Sequence, residues 1–350
     1  MNRSKSSFDY SFNIVSFINI NKIEVWVTNT TSNYENSRNI VAFTDLGEGK
    51  EQWIYNDAKV RPAGIIGEQY PDDTINSLLY NMDYNSLRSL NSVTSYLTSQ
   101  GYTSGKDFEK LQKARKLSPS EYVLNSKLGF ITLNINLNAN QTLAVAYQYT
   151  VIGQDKVYQV GEFSDQSIAD PNLLVTKLLK STTINTKMPM WDLMMKNVYN
   201  IRAYQINPKD FIMNILYLGN DNGVSTGYFS DAEGKAKGMS LLHLMNLDNL
   251  NSQNNPIEGG DGLFDFINGA TTNGGTINAA TGRIYFPVLE PFGSHIRKIF
   301  EDEPALADKY AFDSLYRLTK TSAEQYTEKN KFRLEGHYTS SSGSEINLNA

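Results

Sequence analysis

A chain of 350 residues exceeds the roughly 250 to 300 at which single hydrophobic cores stop growing, so two domains, or one with large insertions, are expected. Hydrophobic residues make up 40%, with 16 Phe, 21 Tyr and 3 Trp among them, enough apolar surface to fold. A net charge of −5 from 32 basic and 37 acidic residues, with no basic stripe, disfavours nucleic acid, and the lack of cysteine excludes thiolate catalysis, disulfides and Cys-based metal sites.

The amino terminus carries no signal-like apolar run, and no stretch approaches the ~20 apolar residues of a membrane helix. Strand-like sequence starts almost at once, at 12 to 20, and the alternation from Ser344 to Ala350 has no following strand to pair with. The expectation is a piece of a larger exported bacterial protein whose address lies elsewhere. Residues 12 to 54 read as three or four strands, with Ile23, Val25 and Val27 alternating and Ile40-Val41-Ala42-Phe43 following a polar loop. The period then changes. Over 72 to 100, Leu87, Leu90, Tyr96 and Leu97 recur at helical spacing behind Asn85-Ser86 as N-cap, and Gly101 supplies the stop, predicting a helical hairpin laid on a sheet.

From 117 to 164 the period returns to two: Phe130 to Asn134, a turn at Asn138-Ala139-Asn140, then Leu143, Val145 and Tyr147 opposing Ala144, Ala146 and Gln148. Strands at Leu173-Leu174-Val175 and at Ile212 to Tyr217 mark a second β region over 170 to 290. The last long element, 304 to 329, reads as one helix with Pro304 in its first turn and Ala311, Leu315 and Leu318 on one face. These elements predict a mainly β fold with helical insertions (α+β), built of β-sandwich or jelly-roll-like modules. The expected division is a module over 1–165 with its helical insertion near 72–100, a second β-rich module over 166–303, and 304–350 as a helix leading into a strand of a following module. Asn125 to Leu133 echoes Asn278 to Phe286, each a turn whose glycine takes a positive φ before a strand.

Gly223-Val224-Ser225-Thr226-Gly227 fits the nucleophile-elbow pattern, but turns flank it where a strand and a helix are required, which predicts a hairpin loop. A hydrolase would need Ser225 within reach of His243, His295 or His337, the three histidines of the chain, none of them at metal-ligand spacing. Asn246 to Asp265 is rich in oxygen ligands and glycine, so Asp248, Asp261 and Asp265 are candidates for a structural calcium, against a default of Asx-rich turns; EF-hand spacing fails at Leu250. Trp26, Trp53 and Trp191 could stack on sugar rings of a carbohydrate-binding β-sandwich from an exported polysaccharide-processing protein, although a strand aromatic is more often core.

Several stretches resemble the SprA/Sov family, the outer-membrane translocon of the type IX secretion system, which also serves gliding motility. They are Lys22 to Asn29 with Ile40 to Glu48, Ala114 to Tyr122, Met190 to Asn197, Gly282 to Gly293, and Tyr338 to Ile346, in consistent order through nearly the whole chain. The resemblance implies an internal segment of a giant β-barrel protein partnered by a smaller PorV-type barrel, a plug protein and secreted cargo. It carries over no catalytic residue and no cofactor. Membrane strands need about 9 to 11 alternating residues with a lipid-facing band, and the short strands and helical interruptions here predict a non-barrel insertion facing the periplasm or the cell surface.

Overall fold

The alternation of Val25, Trp26 and Val27 sends successive side chains of one strand into two different cores, and that division organises the first half of the chain. The computed structural model describes residues 17–46, 70, 72, 82–219, 223–268 and 275–340, together with the backbone of 345–349. The strand and helix readings at 12–16, 47–54 and 73–81 lie outside these residues. The described residues up to Met194 form one unit and those from Met195 a second.

The first unit holds β1 (Ile18–Val27), β2 (Ser37–Phe43), α1 (Tyr84–Arg88), α2 (Val93–Ser99), β3 (Phe108–Lys116), β4 (Tyr122–Asn125), β5 (Phe130–Leu133), β6 (Leu143–Val151), β7 (Val157–Val160), β8 (Leu174–Lys180) and α3 (Pro189–Leu193). The strand order is β1-β3-β2-β8-β6-β7, and a long β1–β6 ladder from Ile18↔Val151 to Val27↔Leu143 joins the ends. Five strands therefore close into a small barrel, where the sequence predicted a sandwich. Alternation fixes which face is buried but not what the last strand pairs with. The parallel β2–β8 pairing, Ile40↔Leu174 to Phe43↔Lys177, comes from strands more than a hundred residues apart and left no local signal.

Trp26, Ile40, Ala42, Ala144, Leu174 and Leu178 fill the barrel interior, with alanines leaving room for the indole. The outer face is covered by the chain itself. Leu87, Val93 and Leu97 of the helical pair pack on Val41, Phe43, Phe108 and Val175. The β4–β5 hairpin lays Tyr122, Ile131 and Leu133 over Val25, Val27 and Val145. The helical hairpin was expected; its N-cap is Asp83, whose carboxylate accepts the Ser86 N–H, and not Asn85-Ser86, while Gly101 ends it at φ +83°.

In the second unit, β9 (Val198–Asn200), β10 (Ile212–Leu218), β11 (Ser225–Thr226), α4 (Leu241–Leu244), β12 (Ile277–Asn278), β13 (Arg283–Tyr285), α5 (Ser294–Ile299), α6 (Pro304–Tyr310), α7 (Lys320–Gln325), β14 (Phe332–Thr339) and β15 (Glu345–Asn349) follow in order. Two antiparallel sheets result, β11-β10-β14-β15 and β12-β13-β9. Met213, Ile215, Tyr217, Leu334 and Tyr338 face a core completed by Leu241, Ile296, Phe300 and Tyr310. Rings cluster there edge-on and tilted, with Phe229 and Tyr310 centroids 4.3 Å apart.

Two expectations about extent change. The helix foreseen over 304–329 is three pieces: α6, a 3-10 turn at Asp313–Arg317 and α7. Tyr310, Ala311 and Phe312 are buried consecutively, which one face of a continuous helix does not allow, and Thr319 starts α7 by accepting the Ser322 N–H. The boundary drawn at 165 falls inside the first unit, because β8 completes its barrel. The strand after 304 likewise pairs with β10, from Ile212↔His337 to Tyr217↔Phe332, within the second unit. The two echoing turns match in their wiring. In each, the asparagine (Asn125, Asn278) accepts backbone N–H groups with its side chain, and the glycine (Gly129, Gly282) has positive φ and donates to the asparagine carbonyl.

Candidate functional site

The oxygen-rich loop is built from α4 downward. Ser240 caps α4 by accepting the His243 N–H at 3.1 Å, and its hydroxyl lies 3.3 Å from Asp248 Oδ2. Asp248 is wholly buried, and the backbone of 260–262 wraps its carboxylate: Asp261 N–H donates to Oδ1 at 2.9 Å and Gly262 N–H to Oδ2 at 3.0 Å. Only glycine fits at 260, since a Cβ there would sit 2.4 Å from the Asp248 carboxylate. Asp265 Oδ2 accepts the N–H groups of Asn249 and Leu250, at 2.5 and 3.1 Å. Burial pushes the Asp265 carboxyl up to about 6, opposed by those two hydrogen bonds and assisted by the charges of Asp248 and Asp261.

Asp261 is exposed and caps the Leu263 N–H at 3.0 Å. The three calcium candidates thus share one neighbourhood, each with backbone N–H groups as partners, the bonding of Asx turns. Among the described residues no group of three or more His, Asp or Glu side chains is disposed to hold a metal ion.

Ser225 lies in the two-residue β11, opposite Leu218, in a β10–β11 hairpin whose tip residues 220–222 fall outside the described set. His337 stands opposite Ile212, six residues further along β10, about 20 Å away at the rise of a strand. The other two histidines are held by main-chain carbonyls: His243 Nδ1 lies 2.6 Å from Asp248 O, and His295 Nε2 lies 2.7 Å from Leu244 O. Burial lowers the His295 pKa, which favours its neutral form.

Sequence reading missed a second polar cluster, at one end of the barrel. Glu24, on the same face of β1 as Trp26, is buried and accepts from Ser164 N–H at 2.9 Å, Ser164 Oγ at 2.6 Å and Lys116 Nζ at 3.1 Å. Lys116 also reaches Ser164 Oγ at 3.0 Å. A serine, a lysine and a carboxylate are in mutual contact, and the hydroxyl and the amide N–H of Ser164 are both directed at Glu24. The cluster tethers the segment 162–172 across the barrel end. Lys22–Asp165 at 2.6 Å, Arg88–Glu162, and Arg38 Nη2 donating to Ile168 O at 2.6 Å complete the attachment.

Of the tryptophans, Trp26 is barrel core, Trp191 is half-buried in α3, and Trp53 lies outside the described residues. The exposed tyrosines among the described residues, Tyr34, Tyr70, Tyr84, Tyr204, Tyr228 and Tyr326, stand on loops and helix ends, not in a row on a sheet. Three exposed apolar groups converge at one place. Ile152 N–H donates to Phe17 O at 2.7 Å, extending the β1–β6 ladder, and Thr150 faces Val157. That register puts Phe17 (64% exposed), Ile152 (70%) and Val157 (53%) on one face of the β1–β6–β7 extension. No protein-family profile matches this chain, and no curated protein matches it.

Proposed function

We propose that this chain is a non-catalytic structural and interaction segment of a protein-secretion translocon in the bacterial outer membrane, of the type IX system that also serves gliding motility. In this reading it is an insertion facing the periplasm or the cell surface and not barrel wall. Its partners are other segments of the same translocon, a PorV-type barrel, a plug protein and secreted cargo. The observation that carries the reading is the cover on the small barrel. Val41, Phe43, Phe108 and Val175 on one side, and Val25, Val27 and Val145 on the other, are buried under the chain's own α1, α2 and β4–β5, so these outward faces are sealed by protein and offer no band to lipid. The SprA/Sov-like wording, in order along the chain, supports the same assignment. The exposed face at Phe17, Ile152 and Val157 is the surface through which such a segment would dock.

The test uses the full-length translocon. Ile152→Asp and Phe17→Asp are expected to cut export of a reporter cargo several-fold while the outer-membrane level of the translocon stays unchanged. This segment has no cysteine of its own, so one placed in it can be labelled singly once any cysteine elsewhere in the full-length protein is replaced. A cysteine at Tyr34, exposed in the loop after β1 and at the other end of that strand from Phe17, should react with a membrane-impermeant maleimide in outer-membrane preparations. Normal export in both variants, or labelling of that cysteine only by a lipid-phase reagent, would refute the proposal.

A further inference from the structure

We propose that the segment 162–172 is a displaceable strap whose release opens one end of the small barrel while the barrel itself stays folded. The strap has one wholly buried side chain, Phe163; Glu162, Ser164 and Ile168 are half-buried, and the other seven residues are exposed. Polar contacts tie it down along its length. Lys22 reaches Asp165 at 2.6 Å and lies 4.2 Å from the centre of the Phe163 ring. Arg38 donates to Ser164 O at 3.4 Å and to Ile168 O at 2.6 Å, and Asn39 donates to Pro171 O at 3.3 Å. The Glu24 carboxylate is the hub, receiving Lys116 and both donors of Ser164.

The strap interrupts one continuous face of the sheet. Ala144, Ala146, Gln148, Thr150 and Ile152 alternate along β6 and its extension, so they share a side. Inside the barrel, Ala144 stands opposite Trp26 and Ala146 opposite Glu24. Outside it, Ile152 joins Phe17 and Val157 in the exposed apolar face. Gln148 lies between, donating to Gln159 at 2.8 Å, and Gln159 in turn donates to Gly161 O at 2.8 Å. Gly161 leads into the strap at φ +78°, packed so that a Cβ there would lie 3.2 Å from Ala146 Cβ and 3.3 Å from Thr176 Cα.

Closure leaves polar groups unsatisfied beneath the strap. Trp26 Nε1 and Thr176 Oγ1 are wholly buried and have no hydrogen-bond partner among the described residues. Both belong to the inner face, Trp26 in the barrel core and Thr176 alternating with Leu174 and Leu178. Two buried groups without partners oppose the closed state, because water admitted at an open end would satisfy them. The polar ties act against that cost, so the position of the strap follows the state of Lys22, Asp165 and Glu24. Lys22 and Glu24 stand on β1, the strand that leads from Phe17 into the barrel.

The chain has no cysteine, so a single introduced thiol reports local opening. Thr176→Cys places it beneath the strap, and Val41→Cys places it under α1 and α2, away from the strap. The 350-residue chain is reacted under native conditions with a small aromatic disulfide reagent. Each thiol is followed in the parent background, with Lys22→Ala, with Glu24→Gln, and at low and about 1 M salt. The Thr176→Cys thiol is expected to react about tenfold faster in either variant, and faster in high salt, while the Val41→Cys thiol keeps one slow rate throughout. Equal acceleration of both thiols means that the barrel unfolds as a whole, and an unchanged Thr176→Cys rate means that these contacts do not hold the strap; either result overturns the proposal. Export by the translocon does not enter this measurement, so either reading can fail without the other.

Discussion

Thr176 and Asp265 are each placed where a small chemical change has a measurable sign. Thr176 is wholly buried in β8, and its hydroxyl has no hydrogen-bond partner among the described residues. Thr176→Val keeps the shape and removes an unsatisfied polar group, so it should stabilise the first unit by about 1 kcal/mol, read from the urea midpoint. Asp265 has its carboxyl raised to about 6, above the ordinary carboxylate value, so the folded chain binds that proton more tightly than the unfolded chain. Its contribution is therefore complete in acid and is lost as pH rises through about 6. The second unit should be more resistant to denaturant near pH 5 than near pH 7, and Asp265→Asn should remove most of the difference, measured by paired denaturation curves. The sequence showed the loop's Asx and glycine content, and hence its turns, but not which carboxylate is buried. The Glu24–Lys116–Ser164 cluster was beyond sequence reading altogether, since its members stand 92 and 140 positions from Glu24 and meet only because the barrel closes.

Among the elements, those set by local chemistry were legible and those set by distant pairing were not. The glycine turns before β5 and β13 followed from residue type, because few other residues adopt that φ, and the helical pair followed from the spacing of Leu87, Tyr96 and Leu97. Closure of the barrel and the break after Tyr310 depend on partners elsewhere: β8 for β2, and Phe292, whose carbonyl accepts the Phe312 N–H. The junction of α1 with the barrel shows how strong such distant contacts are. Arg88 and Glu162 form a two-pronged ion pair with side chains 8% and 12% exposed, and the pair also holds Leu173 O and Val175 N–H. Burial and the carboxylate act in opposite directions on Arg88, and the carboxylate prevails, leaving the guanidinium more firmly protonated than usual. Arg88→Ala leaves Glu162 charged and half-satisfied, and should cost about 3 to 5 kcal/mol in urea denaturation, whereas Arg88→Met combined with Glu162→Leu should recover most of that loss.

At the scale of the whole molecule, the described residues divide between Met194 and Met195, and β8, which looks in sequence like the first strand of something new, belongs to the first unit. Leu193, Met194 and Met195 are exposed where one unit gives way to the next. Limited proteolysis with a protease that cuts after Leu and Met should therefore cleave there first, giving two persistent fragments identifiable by mass; initial cleavage inside β8 or β10 would contradict this division. The segment 162–172 has a different vulnerability. It crosses the barrel end with Phe163 buried but is otherwise held mainly by charges and polar contacts: Lys22 on Asp165, Arg88 on Glu162, Arg38 on the Ile168 carbonyl, and Lys116 with Glu24 on Ser164. Salt screens the exposed members of this set and leaves the apolar interior intact. Raising ionic strength should therefore shorten the exchange lifetime of the Ser164 amide while those of Ala42 and Ala144 barely change, so that one proton reports how firmly the barrel is shut.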